Sequence, residues 1–432
     1  MNGDDPVPAF KRLAASHRRM FWLDGGGART WSGQRSILGW LEKDDVSLTY
    51  DAARREVWRH VHGTRELVGH DIFATLENEV ARDGGDPSIS WVGYFGYACR
   101  SDLPARTSAA EPDAVWMRAR DALVFDHPPT ELSDAGRAAA PPPSDNSVGF
   151  EEYLSWFDRV QDELRLGNSY EVNLTYRQRV ESEVDPVTAY LRLRALNPAP
   201  YSGYLQHDGT HLLSSSPERF ATIDRSRWVE TKPIKGTTPR GATRQEDEQN
   251  AQALRTQPKF RSENLMIVDL LRNDLSMVCD PGTVTVPVLM EVESYPSVHQ
   301  LVSTVRGRLR EGVSTIAALA ALFPAGSMTG APKLRTMEII ADVESTPRGV
   351  YAGAFGWISG DGRADLGVVI RTLVSSDRSF TVERARGPGR VQSARHIYEF
   401  GTGGAVTVRS DARSEHEETL WKSELLMRSV TG

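Results

Sequence analysis

The chain has 432 residues and a formal charge of −7, from 51 Lys and Arg against 58 Asp and Glu, with 39% hydrophobic and 25% charged residues. These are the proportions of an ordinary globular protein with enough chain for a large core, and the mild acidity offers no basic field to nucleic acid or an anionic membrane surface. The longest apolar run, Ile316 to Phe323, falls far short of the roughly 20 residues of a membrane span, and the acidic start lacks a secretion signal, so neither a membrane nor a nucleic-acid partner is expected and a cytoplasmic location is.

In chain order, Phe21 to Asp24 and Trp91 to Tyr97 read as strands, whereas Asp51 to Glu66 and His70 to Arg82 read as helices. Two cysteines, Cys99 and Cys279, are too few for a disulfide framework or a thiolate zinc site, and read as buried thiols. Neither has the Gly-x-Cys-x-Gly setting of a glutamine-hydrolysing nucleophile. Residues 131–149, containing the run AAAPPP, have linker composition and divide an N-terminal subdomain, 1–130, from a larger domain, 150–432. Beyond the linker, Tyr153, Phe157, Val160 and Leu164 share one helical face that Gly167-Asn168 terminates. Val172, Leu174 and Tyr176 alternate as in a half-buried strand, and Asp208-Gly209 and Asp361-Gly362 read as hairpin turns. Glu246 to Val278 and Ser414 to Val430 read as helices. Strands with helices segregated around them point to an α+β fold.

Lys235 lies in TKPIKGTTPRG at an expected strand end. There it is either an exposed loop lysine or a desolvated amine able to attack carbon. Glu263 opens the run ENLMIVDLLRND, in which Leu265, Val268 and Leu271 form an apolar stripe. Ser414 and Glu417 have capping-box spacing, and Glu415, Glu418 and Lys422 share the face of that helix. The acidic pair is either a solvated first turn with a Glu418–Lys422 contact or, together with Glu263, a seat for a hard cation such as Mg²⁺. GSMTGAPK fails the phosphate-loop spacing and leaves an anion site at a helix start. Residues 401–404, GTGG, form either a backbone donor loop or a turn.

In order along the chain, SPERF, PIKGT, ENLMIVDLLRND, GSMTGAPK, VVIRTL, GTGG and HEETLWK make residues 150–428 resemble the chorismate-utilising enzyme family. The resemblance implies two antiparallel β-sheets packed face to face with helices outside, and 150–432 as the chorismate-binding catalytic domain. It implies Mg²⁺ held through Glu263 and Glu418 with Glu415 nearby, a neutral Lys235 that adds at carbon 2 of chorismate, and Glu218 as the acid protonating the departing hydroxyl. Ammonia then adds at carbon 4 and expels the lysine. Arg371 and Tyr351 are implied at the enolpyruvyl carboxylate, and Gly236, Thr237, Ser327, Gly403, Gly404 and Lys422 at the remaining carboxylate and ring contacts. Lys235 marks the branch that aminates carbon 4; anthranilate-forming relatives, which aminate carbon 2, usually carry a small residue there. The lack of a glutaminase cysteine implies a separate glutamine amidotransferase subunit, the alternative being free ammonium. Three positions depart from relatives. Gln300 stands where a pyruvate-eliminating His is usual, with His299 beside it as a candidate substitute. Glu171 replaces the water-activating lysine of isochorismate-forming relatives. Phe260 replaces an acidic residue three places before Glu263.

Overall fold

A computed structural model of the protein describes residues 5–27, 32, 34–108, 111–127, 148–295, 298–376 and 395–431. Its strands form one sheet of nine and another of twelve, every pair antiparallel. The first runs from Gly330–Ala331 and Glu171–Ser182 through His396–Val406, Thr372–Ser376, Thr210–Ser216 and Tyr201–His207 to Arg19–Asp24, Arg35–Trp40 and Ala122–Asp126. In the second, Ile234–Pro239, Val298–Arg308, Trp228–Lys232, Arg219–Ile223, Ala364–Val368 and Ala354–Ser359 are followed by Ser90–Phe95, Ala114–Ala119 and three strands between Ser47 and Gly69, and Thr285–Ser294 pairs with Val298–Arg308 off this path.

Why the sheets stack follows from their strand sequences. Along Ser90–Phe95, Val92 and Tyr94 face the other sheet while Trp91 and Phe95 face helices, and Ala114–Ala119 alternates in the same way. Strands apolar on both faces must be covered twice. Val92, Tyr94, Val115 and Met117 therefore meet Phe21, Leu205 and Leu212 between the sheets. Outside the first sheet, the helices Val7–Ser16, Pro186–Leu196 and Ala412–Thr431 supply or flank a second core around Phe10, Trp22, Tyr190 and Leu426. Ile72–Arg82, Pro258–Ser276 and Thr315–Leu322 cover the other sheet. The expected architecture of packed antiparallel sheets with outer helices is the one observed.

The expected boundary at 131–149 falls mostly outside the described residues. Strands from both sides of it pair in both sheets, Arg19–Asp24 with Tyr201–His207 and Ser90–Phe95 with Ala354–Ser359, so the two segments share one core.

Several local expectations are corrected. Asp51 to Glu66 is not helical: Glu56–Val61 and Thr64–Gly69 are a hairpin turning at His62 and Gly63, with φ of 51° and 73°. Val57, Trp58 and Val61 favour the pleated surface more than Ala52 to Arg55 favour a helix. The helix at Glu246 to Val278 is two, Arg244–Thr256 and Pro258–Ser276, because Pro258 can start a helix but not continue one. In the second, Asn264, Ile267, Val268, Leu271 and Leu275 form the buried face, and Leu265 is 53% exposed. The last helix begins one turn early: Asp411, not Ser414, accepts from the free Ser414 N–H at 2.9 Å. GTGG lies inside the His396–Val406 strand rather than in a loop. Both cysteines are buried free thiols. No helix among the described residues is long and apolar enough to cross a membrane.

Candidate active site

At one end of the inter-sheet layer the hydrocarbon gives way to a pocket of about 970 Å³, counted out to its mouth. Two of its residues sit where the chain passes from one sheet to the other. Glu218 lies between the Thr210–Ser216 and Arg219–Ile223 strands, and Arg371, with φ of 49°, lies between Ala364–Val368 and Thr372–Ser376. Backbone hydrogen bonds fix both crossings, Val368 N–H donating to the Glu218 carbonyl at 2.9 Å and Ser215 N–H to the Arg371 carbonyl at 3.1 Å, and both side chains line the pocket.

Lys235 is aimed by a bulge. Pairing between Ile234–Pro239 and Val298–Arg308 slips between Ile234 and Thr237, where Gly236 adopts a φ of 93°. A bulge re-directs the side chain it contains, and Lys235 is 7% exposed. A Cβ on Gly236 would stand 3.1 Å from the Phe260 ring, so the aromatic residue at the departure position closes that side of the pocket.

Lys235 Nζ donates to Glu171 Oε1 at 2.5 Å and to the Ser327 carbonyl at 3.3 Å. Burial opposes its charge, but Glu171, Glu263 and Glu218 outweigh burial and hold the ammonium above the ordinary lysine range. The neutral amine expected from desolvation is thus corrected: in this structure the lysine is an ion-paired ammonium. Glu218 behaves oppositely. Burial raises its carboxyl to about 7, although the Ser327 hydroxyl donates to its Oε1 at 2.6 Å and Lys235 is near.

The three expected cation ligands line the same pocket. Burial and the neighbouring Glu171 raise Glu263 to about 7, and its Oε1 is buried without a hydrogen-bond partner. Glu415 is raised by burial and by Glu418, and receives Lys259 at 3.1 Å. Glu418 is only partly buried, and its Lys422 contact at 2.6 Å holds it below the usual range. Gly404 makes room for this group: a Cβ there would lie 3.4 Å from Glu415 Oε2 and 3.8 Å from both Glu418 Oε1 and Lys422 Nζ. Among the described residues, no three His, Cys, Asp or Glu side chains are drawn together as a ready metal cluster. Lysines occupy two of the carboxylates. The donor set suits a hard divalent ion even so, with hard oxygen ligands, one orphaned carboxylate oxygen and an open cradle.

Ser327, Tyr351, Gly236, Thr237, Gly403 and Lys422 also line the pocket. Tyr351 is held by Arg177, whose guanidinium lies 4.3 Å over its ring. Arg371 makes no side-chain hydrogen bond or ion pair among the described residues, and burial lowers its pKa; it is the pocket's open cation fork. Lys333 of GSMTGAPK pairs with Asp274 at 2.6 Å and is a structural pin. His299 cannot stand in for Gln300, because strand alternation sends it away to Asp247 at 3.0 Å while Gln300 lines the pocket.

Glu171 was legible only as a departure. Its strand was expected to be half buried, whereas Glu171, Asn173 and Thr175 on the second face are buried as well. Polar residues alternating with Val172 and Leu174 were the available signal. Lys259 had none, since its partner Glu415 is 156 residues away.

The sequence profile of the family described as chorismate binding enzyme matches residues 18–428. The chain is 39% identical to a protein named aminodeoxychorismate synthase from Streptomyces pristinaespiralis, over 99% of this chain and 64% of that one; it thus spans somewhat less than two thirds of that relative. It is 40% identical to one named anthranilate synthase component 1 1 from Haloarcula marismortui, over 99% of this chain and 90% of the other. The crystal structure of anthranilate synthase component I from Streptococcus pneumoniae TIGR4 superposes with a TM-score of 0.71 at 23% identity, covering 98% of this chain and 97% of that one, and shows the fold to be shared.

Proposed function

Because the chain belongs to the chorismate-binding enzyme family, we propose that this pocket aminates chorismate at carbon 4, giving 4-amino-4-deoxychorismate. One observation carries the reading: a buried lysine amine and a carboxyl raised to about 7 line the same closed end of the pocket. The carbon 4 hydroxyl is a poor leaving group. Glu218, protonated near neutral pH, gives it a proton as Lys235, once deprotonated, adds at carbon 2 and the ring double bonds shift. Ammonia then attacks carbon 4, the double bonds shift back, and Lys235 leaves as the amine. Two allylic displacements replace one hindered substitution.

Arg371, whose side chain has no hydrogen bond or ion pair among the described residues, grips the enolpyruvyl carboxylate beside Tyr351, and Ser327 holds the Glu218 carboxyl toward the ring. Glu263, Glu415 and Glu418 would hold Mg²⁺, which when bound neutralises the ring carboxylate and draws electron density from the diene. Lys259 and Lys422 balance the acidic wall until then. Ammonia is proposed to come from a glutamine amidotransferase partner, because Cys99 and Cys279 are buried in the outer core.

The likeness to an anthranilate synthase component 1 favours a second reading, amination at carbon 2. Lys235 opposes it, since its side chain would claim that carbon. Incubation with chorismate, Mg²⁺ and ammonium at alkaline pH separates the two by product mass and chromatography. The expected product retains the enolpyruvyl group and carries one nitrogen. Fluorescent anthranilate would overturn the carbon 4 assignment.

A further inference from the structure

A nucleophilic Lys235 must lose a proton before it can attack, and the structure limits where that proton can go. Two groups accept from Nζ, the Glu171 carboxylate and the Ser327 backbone carbonyl, and of these only the carboxylate can bind a proton outright. Glu218 cannot serve, because its part in the same step is to give a proton. Glu263 makes no hydrogen bond to Nζ among the described residues.

We propose that Glu171 is the base that activates Lys235, taking its proton before attack on carbon 2 and returning it after the amine is expelled from carbon 2. The inference rests on the proposed covalent role of Lys235. Several features support it. The donor and acceptor already share a 2.5 Å hydrogen bond, so the transfer needs no movement of either side chain. Glu171 is 0% exposed and its Oε2 has no hydrogen-bond partner among the described residues, so Lys235 is the group that holds the carboxylate through its other oxygen. In so dry a site an amine and a carboxylic acid escape the desolvation cost of the ion pair. The need for a base is clear from the resting state, where surrounding carboxylates keep the lysine charged. The charged groups around the pair are Glu218 from the sheet crossing, Glu263 and Lys259 from the Pro258–Ser276 helix, and Glu418 from the last helix.

The step balances. Lys235–NH₃⁺ and Glu171 carboxylate become amine and acid. The nitrogen bonds to carbon 2, the double bonds move, the carbon 4–oxygen bond breaks, and the hydroxide leaves as water with the proton of Glu218. Ammonia bonds to carbon 4 with its lone pair, the double bonds shift back toward carbon 2, and the carbon 2–nitrogen bond breaks with its electron pair going to nitrogen, so Lys235 departs as the neutral amine and recovers the proton of Glu171. The new carbon 4 ammonium or solvent reprotonates Glu218.

The test is the rate of adduct formation when chorismate and Mg²⁺ are mixed with the full chain without ammonia, read as a mass increase of chorismate less one water. Glu171→Gln keeps the shape but not the base. Its adduct should form about 10²-fold more slowly than wild type at neutral pH, and the deficit relative to wild type at the same pH should shrink as alkali removes the lysine proton instead, since both lose the Glu218 acid alike. Glu171→Asp, which keeps a carboxylate, should lose less, and it serves if the amide variant does not fold. A Glu171→Gln rate equal to or above wild type overturns the proposal, as does a deficit relative to wild type that does not shrink in alkali; in either case Lys235 remains the nucleophile. Absence of an adduct in wild type would overturn the covalent reading and this inference together.

Discussion

The two ends of the inter-sheet layer are bounded by the same two sheets and behave in opposite ways. At one end Tyr94, Met117, Leu205, Leu212 and Phe355 close on each other with almost no exposed surface. At the other, Glu171, Glu218, Lys235 and Glu263 are buried as well but are ionisable. Burial at the first end supplies stability, roughly 1.5–3 kcal/mol for each large side chain. At the second, burial drives two carboxyls to about 7 and so works against the fold at alkaline pH. The contrast teaches that the sheets are held together at one end so that a strained, charged cluster can be kept at the other.

Substitutions that separate the two ends should have separable effects. The largest is expected from Lys235→Ala, which should abolish the adduct and lower turnover per folded molecule by roughly 10⁴-fold or more, with the melting temperature also reduced because Glu171 is left buried and unpaired; retained turnover would break the contrast at its functional end. Next is Glu218→Gln, with about 10²–10⁴-fold less turnover. In wild type the acid acts protonated, so turnover should fall as pH rises through about 7. The stability effect has the opposite sense. A folded-state pKa raised above the ordinary 4.5 costs stability once the group ionises, fully above about 7 and not at all below about 4.5. Glu218→Gln should therefore raise the melting temperature at alkaline pH and leave it unchanged in acid.

Phe355→Ala, in the apolar end, should cost about 3–5 kcal/mol of stability in denaturant titration while activity per folded molecule stays near wild type. A selective loss of activity would show that the two ends are coupled. Smallest is Arg371→Lys, which keeps charge but loses the two-pronged grip; KM for chorismate should rise about 10-fold with little change in kcat.

Much of the frame was legible in the sequence, because periodicity reports burial directly. Tyr153, Phe157, Val160 and Leu164 are buried on the Phe150–Arg165 helix, and Asp208-Gly209 turns a hairpin with both residues at positive φ. The Asp51 to Glu66 segment misled because Ala52 to Arg55 are good helix formers in a tight turn, and sheet partners override such preferences. At the site, the resemblance of its motifs to the chorismate-utilising family implied Lys235, Glu218, Glu263, Glu415 and Glu418, and the fold brings them to one pocket. Missing from the sequence was pairing in space. Glu171 and Lys235 are 64 residues apart, and only the sheet packing makes one the other's counter-ion. That pairing reverses the expected resting charge of the lysine.

The central claim is that the charged end does covalent chemistry through position 235. Peptide mapping by tandem mass spectrometry, after chorismate and Mg²⁺ are mixed with the protein in the absence of ammonia, tests it most directly. The account predicts chorismate less one water attached to Lys235 alone; a label on any other residue, or an unmodified Lys235 in protein that still forms the aminated product, would contradict it.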